Sequence, residues 1–158
     1  TLLWTRFDVF TPHIQLALLN YIRFHTGDYV QEMFALMTDP NRDKEVRLAA
    51  IRYFGRYPYP PALDALLGFT LDGNPALWEY ATVAVSALAR YRGPQVVEAL
   101  KQALHSPNWY VRCAAASSLE AQHMDYMDLM DIVDGADRYA REILTYQLES
   151  HRKQKAGV

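Results

Sequence analysis

The sequence has little of what usually marks a chemical activity or a compartment. Its single cysteine, Cys113, excludes an intrachain disulfide and a zinc cluster built from cysteines. The formal net charge is only −2, so no global electrostatic attraction draws the chain to nucleic acid or to acidic membranes. No apolar run reaches the ~18 residues that a membrane-spanning helix needs. What remains is a folded chain that is 51% hydrophobic and has no specialisation visible in its composition.

Motifs that carry catalysis or metal binding are also absent from the sequence. There is no glycine-rich phosphate loop, no His-Glu-x-x-His, no Gly-x-Ser-x-Gly and no dinucleotide-binding fingerprint. The five histidines are scattered, and no two of them are four residues apart, as a helical metal site would require. We therefore predict no catalytic residue, no metal site and no cofactor, and we expect that the protein is not an enzyme.

What the sequence does contain is one segment that recurs along the chain. Residues 46–54 and 111–119 align without gaps, and weaker copies start at Ile14, Tyr80 and Ala140. The starts at 14, 46, 80, 111 and 140 are 32, 34, 31 and 29 residues apart. Regular self-similarity at this spacing is typical of proteins built from stacked repeats.

Each copy has the apolar periodicity of a helix. In the second copy Val46, Ala49, Ala50, Tyr53 and Phe54 share one helical face. A further apolar helical segment precedes each copy, so each copy is predicted to be the second helix of a pair. Helix starts are expected where a capping side chain precedes a proline, which has no N–H to leave unpaired. These sites are Thr11-Pro12, Asn74-Pro75 and Ser106-Pro107.

The pattern predicts an all-α fold, a right-handed α-α superhelix (solenoid) of about five helical pairs in one domain. Its first pair lacks most of its first helix, and Leu2, Leu3 and Trp4 are not polar as the outer face of a terminal repeat normally is. We therefore expect that the domain is excised from a longer protein, with further sequence before residue 1. The predicted pairs are 1–25, 28–57, 60–91, 94–122 and 125–150.

The residues before the second helix carry a family resemblance. Residues 43–50 read Asp-x-x-Val-Arg-x-x-Ala, residues 108–115 repeat the pattern with Asn for Asp, and residues 137–141 keep the Asp and the Arg. The pattern resembles HEAT repeats, specifically the short HEAT-like kind also found in phycobilin lyases and related bacterial proteins. In HEAT-like folds the Asp and the Arg form a ladder between successive repeats. The resemblance thus implies a structural role for Asp43, Arg47, Arg112, Asp137 and Arg141.

Second-helix residues that point away from the core are expected to line the concave face of the superhelix. Counted from the repeat frame, they are basic in the first three copies and acidic in the last two. Arginine and tyrosine together are favoured at interfaces, because each combines apolar area with directional hydrogen bonds. The alternative is a solvated groove whose tyrosines pack between repeats. The candidate partner-binding residues are Arg23, Arg52, Arg56, Tyr57, Ser86, Arg90, Glu120 and Tyr146.

A second charged feature is a series of acids near the C-terminus. Asp125, Asp128, Asp131, Asp134 and Asp137 occur at every third position. A three-residue step drifts by about 60° per acid around a helix, so the carboxylates fan out and do not form one metal cage. We expect an acidic solvated surface, with a docking site for a basic partner as the alternative.

The function that these features favour is a non-catalytic scaffold that binds a protein partner of unknown identity on its concave face. The resemblance leaves two alternatives: a bilin lyase-like enzyme accessory, and, less favoured, a nucleic-acid-binding domain, since HEAT-like folds also occur in alkylpurine DNA glycosylases. The net charge of −2 counts against nucleic acid. We expect a cytoplasmic domain with no membrane contact of its own, although a preceding segment could carry an anchor.

Overall fold

The structure, a computed structural model, describes residues 2–124 and 126–157. Within these residues α-helices, short 3-10 helices and turns follow one another, and there is no β-strand. The 3-10 helices are Phe7–Val9, Pro60–Ala62, Pro75–Leu77, Leu88–Arg90 and Tyr126–Leu129. The α-helices are α1 (Leu2–Thr5), α2 (Pro12–His25), α3 (Val30–Thr38), α4 (Lys44–Arg56), α5 (Leu63–Leu71), α6 (Trp78–Ala87), α7 (Pro94–Ala103), α8 (Trp109–Glu120), α9 (Met130–Val133) and α10 (Arg138–Ala156).

The helices pack as a repeating array. Within each pair α3 packs on α4, α5 on α6, α7 on α8 and α9 on α10. The second helices also pack on one another in chain order, α2 on α4, α4 on α6, α6 on α8 and α8 on α10. Each repeat therefore contacts its neighbours in sequence, as in a solenoid, and the predicted all-helical repeat fold is confirmed.

The recurring apolar face forms the core of this array. Val46, Ala49 and Ala50 are buried, and Tyr53 and Phe54 have no exposed surface at all. Each large side chain buried in this way stabilises the fold by ~1.5–3 kcal/mol. Small residues let adjacent helices approach closely: a Cβ placed on Gly55 would lie 3.2 Å from the Cα of Ala87. The second helices α4 and α6 thus approach closely where a glycine faces an alanine.

The predicted helix start is correct at Thr11, where α2 begins at Pro12. After Asn74 a 3-10 helix begins and α6 follows only at Trp78, and the prediction at Ser106 is wrong. The Thr11 hydroxyl accepts a hydrogen bond from the N–H of Ile14, and the Asn74 side chain accepts one from Ala76. The helix after Ser106, α8, begins later than predicted, at Trp109.

Asn108, and not Ser106, is the N-cap of α8. The Asn108 Oδ1 accepts hydrogen bonds from the N–H groups of Tyr110 (2.9 Å) and Val111 (3.2 Å). The Ser106 hydroxyl instead accepts from the N–H of Asn108 at 3.2 Å and so closes the turn before the helix. Two residues able to cap a helix stand two positions apart here, and Asn108 forms the cap while Ser106 stabilises the turn before it.

At the C-terminus α10 continues to Ala156, beyond the predicted end of the last pair at residue 150. Lys153 and Lys155 lie in its last turn, where positive charge is favourable because of the helix dipole. The predicted boundaries at Thr1 and Asp125 lie outside the described residues. None of the described helices combines the length and the apolar content that crossing a membrane requires.

Candidate functional site

The signature arginines join the two helices of a single pair. The Nε of Arg47 donates to the carbonyl oxygen of Met37 at 3.1 Å. The Nη1 of Arg112 donates to that of Ser106 at 2.7 Å, and the Nη1 of Arg141 donates to that of Gly135 at 2.9 Å. Each carbonyl lies at or just after the end of the first helix of the same pair. A cation at this place satisfies a main-chain carbonyl at or after the end of the first helix, and positive charge near that end is favourable because of the helix dipole.

Arg47 and Arg112 also contact aromatic rings of the next repeat. The guanidinium of Arg47 lies 5.2 Å from the centre of the Tyr80 ring, and that of Arg112 lies 5.1 Å from the centre of the Tyr139 ring. Among the ion pairs of the described residues, none joins a signature aspartate to a signature arginine. The inter-repeat contact of these arginines is thus a cation–π contact, where the resemblance implied a ladder of Asp and Arg.

The signature aspartates cap helices. Asp43 accepts from the N–H of Glu45 at 2.9 Å, and Asp137 accepts from the N–H of Ala140 at 3.0 Å. Asp137 also contacts the Nδ1 of His105, in the preceding pair, at 2.7 Å. The hydrogen bond with His105, together with that from Ala140, holds the pKa of the Asp137 carboxyl below its ordinary value.

A different register position links consecutive repeats, and sequence reasoning missed it. Tyr57, Tyr91, Gln122 and His151 each stand eleven residues after the copy starts at 46, 80, 111 and 140. All four make a polar contact with the C-terminal part of the preceding second helix or the turn after it. The only signal in the sequence was this shared register, and the changing residue type, Tyr, Tyr, Gln and His, concealed it.

The contacts at this position are mostly hydrogen bonds to main-chain carbonyl groups. The Tyr57 hydroxyl donates to the carbonyl of Arg23 at 2.8 Å, and the Tyr91 hydroxyl donates to that of Phe54 at 3.0 Å. Gln122 Nε2 donates to the carbonyls of Leu88 at 3.3 Å and Tyr91 at 3.0 Å. His151 pairs with the carboxylate of Glu120.

The structure divides the predicted partner-binding residues into two groups. Three are half-buried: Arg23, Tyr57 and Glu120. Of these, Tyr57 is engaged within the protein through its hydroxyl, and Glu120 pairs with His151 and accepts from Gln147 at 2.7 Å. The tyrosines of the basic half mostly pack between repeats, as the alternative supposed. The exposed group consists of Arg52, Arg56, Ser86, Arg90 and Tyr146.

Three of the predicted arginines come together on the first two second helices. Burial lowers the pKa of Arg23, and the nearby positive charges of Arg52 and Arg56 lower it further. The Nε of Arg23 is buried without a hydrogen-bond partner among the described residues. The ring of Phe24, which is exposed, lies 4.7 Å from the guanidinium carbon of Arg23 and 5.6 Å from that of Arg56. We call Arg23, Arg52 and Arg56 the arginine cluster.

An open cavity of about 280 Å³ lies beside this cluster. The C-terminal part of α2 contributes Arg23 to it, α4 contributes Arg52 and Gly55, and α6 contributes the opposite wall. Both hydroxyls of that wall are occupied as donors by their own helix, Ser86 to the carbonyl of Thr82 and Thr82 to that of Trp78. The lining residues are Arg23, Arg52, Gly55, Thr82, Val83, Ser86 and Ala87.

The acidic series near the C-terminus is partly neutralised. Lys101 Nζ lies 3.3 Å from a carboxylate oxygen of Asp131 and donates to the carbonyl of Asp128 at 3.0 Å. Asp137 is the helix cap described above, and Asp125 lies outside the described residues. No group of three or more potential metal ligands occurs in the described part of the chain.

The single cysteine has the environment of a packing residue. Cys113 is half-buried on α8, and burial raises the pKa of its thiol, an effect that the neighbouring Arg112 opposes. A raised pKa keeps the thiol protonated near neutral pH, which disfavours nucleophilic chemistry.

Comparison with known proteins adds a family match in the second half of the chain. Residues 76–149 match the family model described as HEAT repeats. No curated protein matches the chain significantly. The matched range contains α6 to α9 and most of α10, and the same packing of helix pairs continues towards the N-terminus through α5, α4 and α3. The match and the helical array together support a HEAT-like repeat protein.

Proposed function

We propose that the chain is a non-catalytic protein-interaction scaffold, acting as one domain, and that its partner binds across the exposed side chains of the second helices. The observation that carries this proposal is a contrast between two sets of arginines. Arg47, Arg112 and Arg141 each donate to a carbonyl group, whereas Arg52 and Arg90 are exposed and have no hydrogen-bond or ion-pair partner among the described residues. Arginines that the fold does not use are available to a partner.

The charge along this surface supports an oriented partner. The basic side chains Arg52, Arg56 and Arg90 lie on the second and third repeats, and the exposed acid Glu149 lies on the last helix. Complementary charges set the direction of a bound segment and raise its rate of association. A partner with an acidic segment towards the N-terminal repeats and a basic segment towards the C-terminal repeats would fit.

The test is capture of partners by a variant of the full chain with Arg52→Glu, Arg56→Glu and Arg90→Glu. A matched control carries Arg152→Glu, Lys153→Glu and Lys155→Glu, which make the same change of charge at exposed positions of α10. We expect partners to be lost from the first variant and kept by the control, with circular dichroism unchanged in both. If the groove variant still captures every wild-type partner, the proposal is wrong.

The finer resemblance, to phycobilin-lyase-related proteins, would add a pigment-binding role. That role needs a pocket for an extended tetrapyrrole, and Cys113 is a poor candidate for a reactive thiol. A spectroscopic titration with a bilin tests it: a new absorption band on mixing would support pigment binding, and an unchanged spectrum would end this interpretation.

Nucleic-acid binding is favoured by one observation, the unpaired arginines of the first repeats. Against it, sequence-independent binding relies on many phosphate contacts, and the chain carries a net charge of −2. A mobility-shift assay at low salt separates the two proposals, because a scaffold for proteins should not retard a duplex or a single strand.

A further inference from the structure

We propose that the cavity beside the arginine cluster holds an anionic side chain of the protein partner, a carboxylate or a phosphoryl group. This inference rests on the proposed function. It names the kind of chemical group that the basic, N-terminal end of the scaffold would recognise. The cavity lies between α2, α4 and α6, so three successive repeats build it together.

The first step of the argument is uncompensated charge. Arg23, Arg52 and Arg56 lie close enough for the charges of the last two to act on Arg23, and no described carboxylate pairs with any of them. Within the part of the chain that the structure describes, the one polar contact of the Arg56 guanidinium is with the hydroxyl of Tyr57, at 3.3 Å. Like charges held together are unfavourable, and a bound anion would offset their repulsion with charge-assisted hydrogen bonds.

The second step is the chemistry of the cavity wall. Ser86 and Thr82 direct their hydroxyl hydrogens to carbonyls of their own helix. The arginines are therefore the free donors that the cavity offers. A group that only accepts hydrogen bonds, such as a carboxylate or a phosphate, matches this set better than an amide or a hydroxyl group.

The third step is space. Gly55 and Ala87 form the floor of the cavity, where α4 and α6 approach closely, and the guanidinium groups of Arg23 and Arg52 lie beside it. The exposed ring of Phe24, which contacts the guanidinium groups of Arg23 and Arg56, provides apolar area for the residues that flank the anionic group. The open cavity of about 280 Å³ has room for one such group. The exposed ring of Phe24 beside the cluster and the net charge of −2 favour a peptide over a nucleic acid.

The experiment is a titration of the full chain at low salt with three short peptides of Ala, Gln and Gly. They are identical except for the central residue, which is Glu, phosphoserine or Gln. The proteins are wild type, Arg52→Gln and the control Arg152→Gln. The readouts are calorimetric affinity and the NMR resonance of the Arg23 Nε–H group, which is buried at the edge of the site.

We expect the Glu or the phosphoserine peptide to bind, and the stronger of the two identifies the source of the anion. Loss of one charge-assisted hydrogen bond should weaken this binding at least about tenfold in Arg52→Gln and leave Arg152→Gln unchanged. The Arg23 resonance should shift on binding. The melting temperature of Arg52→Gln should not fall, because the substitution relieves repulsion.

Several results would overturn the inference. They are equal binding of all three peptides, no binding of either anionic peptide, unchanged affinity in Arg52→Gln, or an Arg23 resonance that stays in place at saturation. Displacement of the peptide by a single-stranded oligonucleotide of higher affinity would assign the cluster to nucleic acid instead. Partner capture through Arg52, Arg56 and Arg90 can succeed even if the peptides do not bind, so failure here is distinguishable from failure of the scaffold proposal.

Discussion

Replacing Tyr91 by phenylalanine tests the hydrogen bonds that join the second and third repeats. The Tyr91 side chain is 7% exposed, and its hydroxyl accepts from the N–H of Tyr59 and donates to the carbonyl of Phe54, both at 3.0 Å. The helical partner of the Phe54 carbonyl would be the N–H of residue 58, but residue 58 is a proline and has none. The Tyr91 hydroxyl therefore supplies a donor that the helix cannot.

The structure sets the size of the effect. Tyr91→Phe removes only the hydroxyl, keeps the buried ring, and leaves one N–H and one carbonyl without this partner. A lost hydrogen bond that leaves buried groups unpaired costs ~1–3 kcal/mol, so we expect the free energy of unfolding to fall by about 2–3 kcal/mol. For a chain of this size that corresponds to a decrease in melting temperature of about 5–10 °C.

The assay is thermal unfolding followed by circular dichroism, with hydrogen exchange of the Tyr59 amide as a local readout. The control is Tyr146→Phe, at a residue that is 71% exposed and whose hydroxyl has no hydrogen-bond partner among residues 2–124 and 126–157. We expect Tyr91→Phe to melt well below wild type and its Tyr59 amide to exchange faster, while the control stays close to wild type. Equal melting of the two variants would refute the reasoning, as would unchanged protection of Tyr59.

Three further predictions concern ionisation and backbone geometry. Burial raises the pKa of Tyr91, although the hydrogen bond from Tyr59 opposes this. The wild-type protein should therefore lose stability as the pH rises through the folded-state pKa of Tyr91. In alkaline denaturation Tyr91→Phe should lose less stability than wild type, because it has no phenol to ionise. The pKa of Asp137 is lowered, chiefly by its hydrogen bond with His105. The stabilisation that the Asp137 carboxylate gives to the fold is therefore fully present above its unfolded-state pKa of ~3.9 and is lost as the pH falls through its folded-state pKa. Asp137→Asn, which can still cap α10, should flatten the acid limb of a stability–pH curve measured with urea, and an unchanged limb would contradict this. Gly93 has a φ of +125°, so Gly93→Ala should cost ~1–3 kcal/mol in urea denaturation, whereas Gly73→Ala, in open space at an ordinary φ, should not.

The sequence predicted the fold well because the relevant signals are local. The apolar face of α4, from Val46 to Phe54, follows from helical geometry alone, and each of its predicted core residues is buried. The cap at Thr11 also depends only on neighbouring residues. The error at Ser106 arose where two capping residues stand two positions apart, and local preference could not choose between them.

The candidate site was less predictable because it depends on distances between repeats. The register identified Arg52 and Arg90 as exposed, but it could not reveal that the Tyr57 hydroxyl is used by the carbonyl of Arg23 or that Glu120 is paired with His151. Those partners are about one repeat apart in the sequence. They become neighbours only when the second helices stack.

The sequence by itself thus determined the period, the helices and the face that each helix buries, since all three depend on residue spacing within one repeat. Only the tertiary structure decided which polar groups are used. It directed Arg47 to a carbonyl in its own pair and a ring in the next, and it brought Arg23 beside Arg52 with no acid to pair them. The physical reason is that hydrogen bonds and charge interactions act over a few ångströms, and the packing angle between repeats sets which side chains come that close.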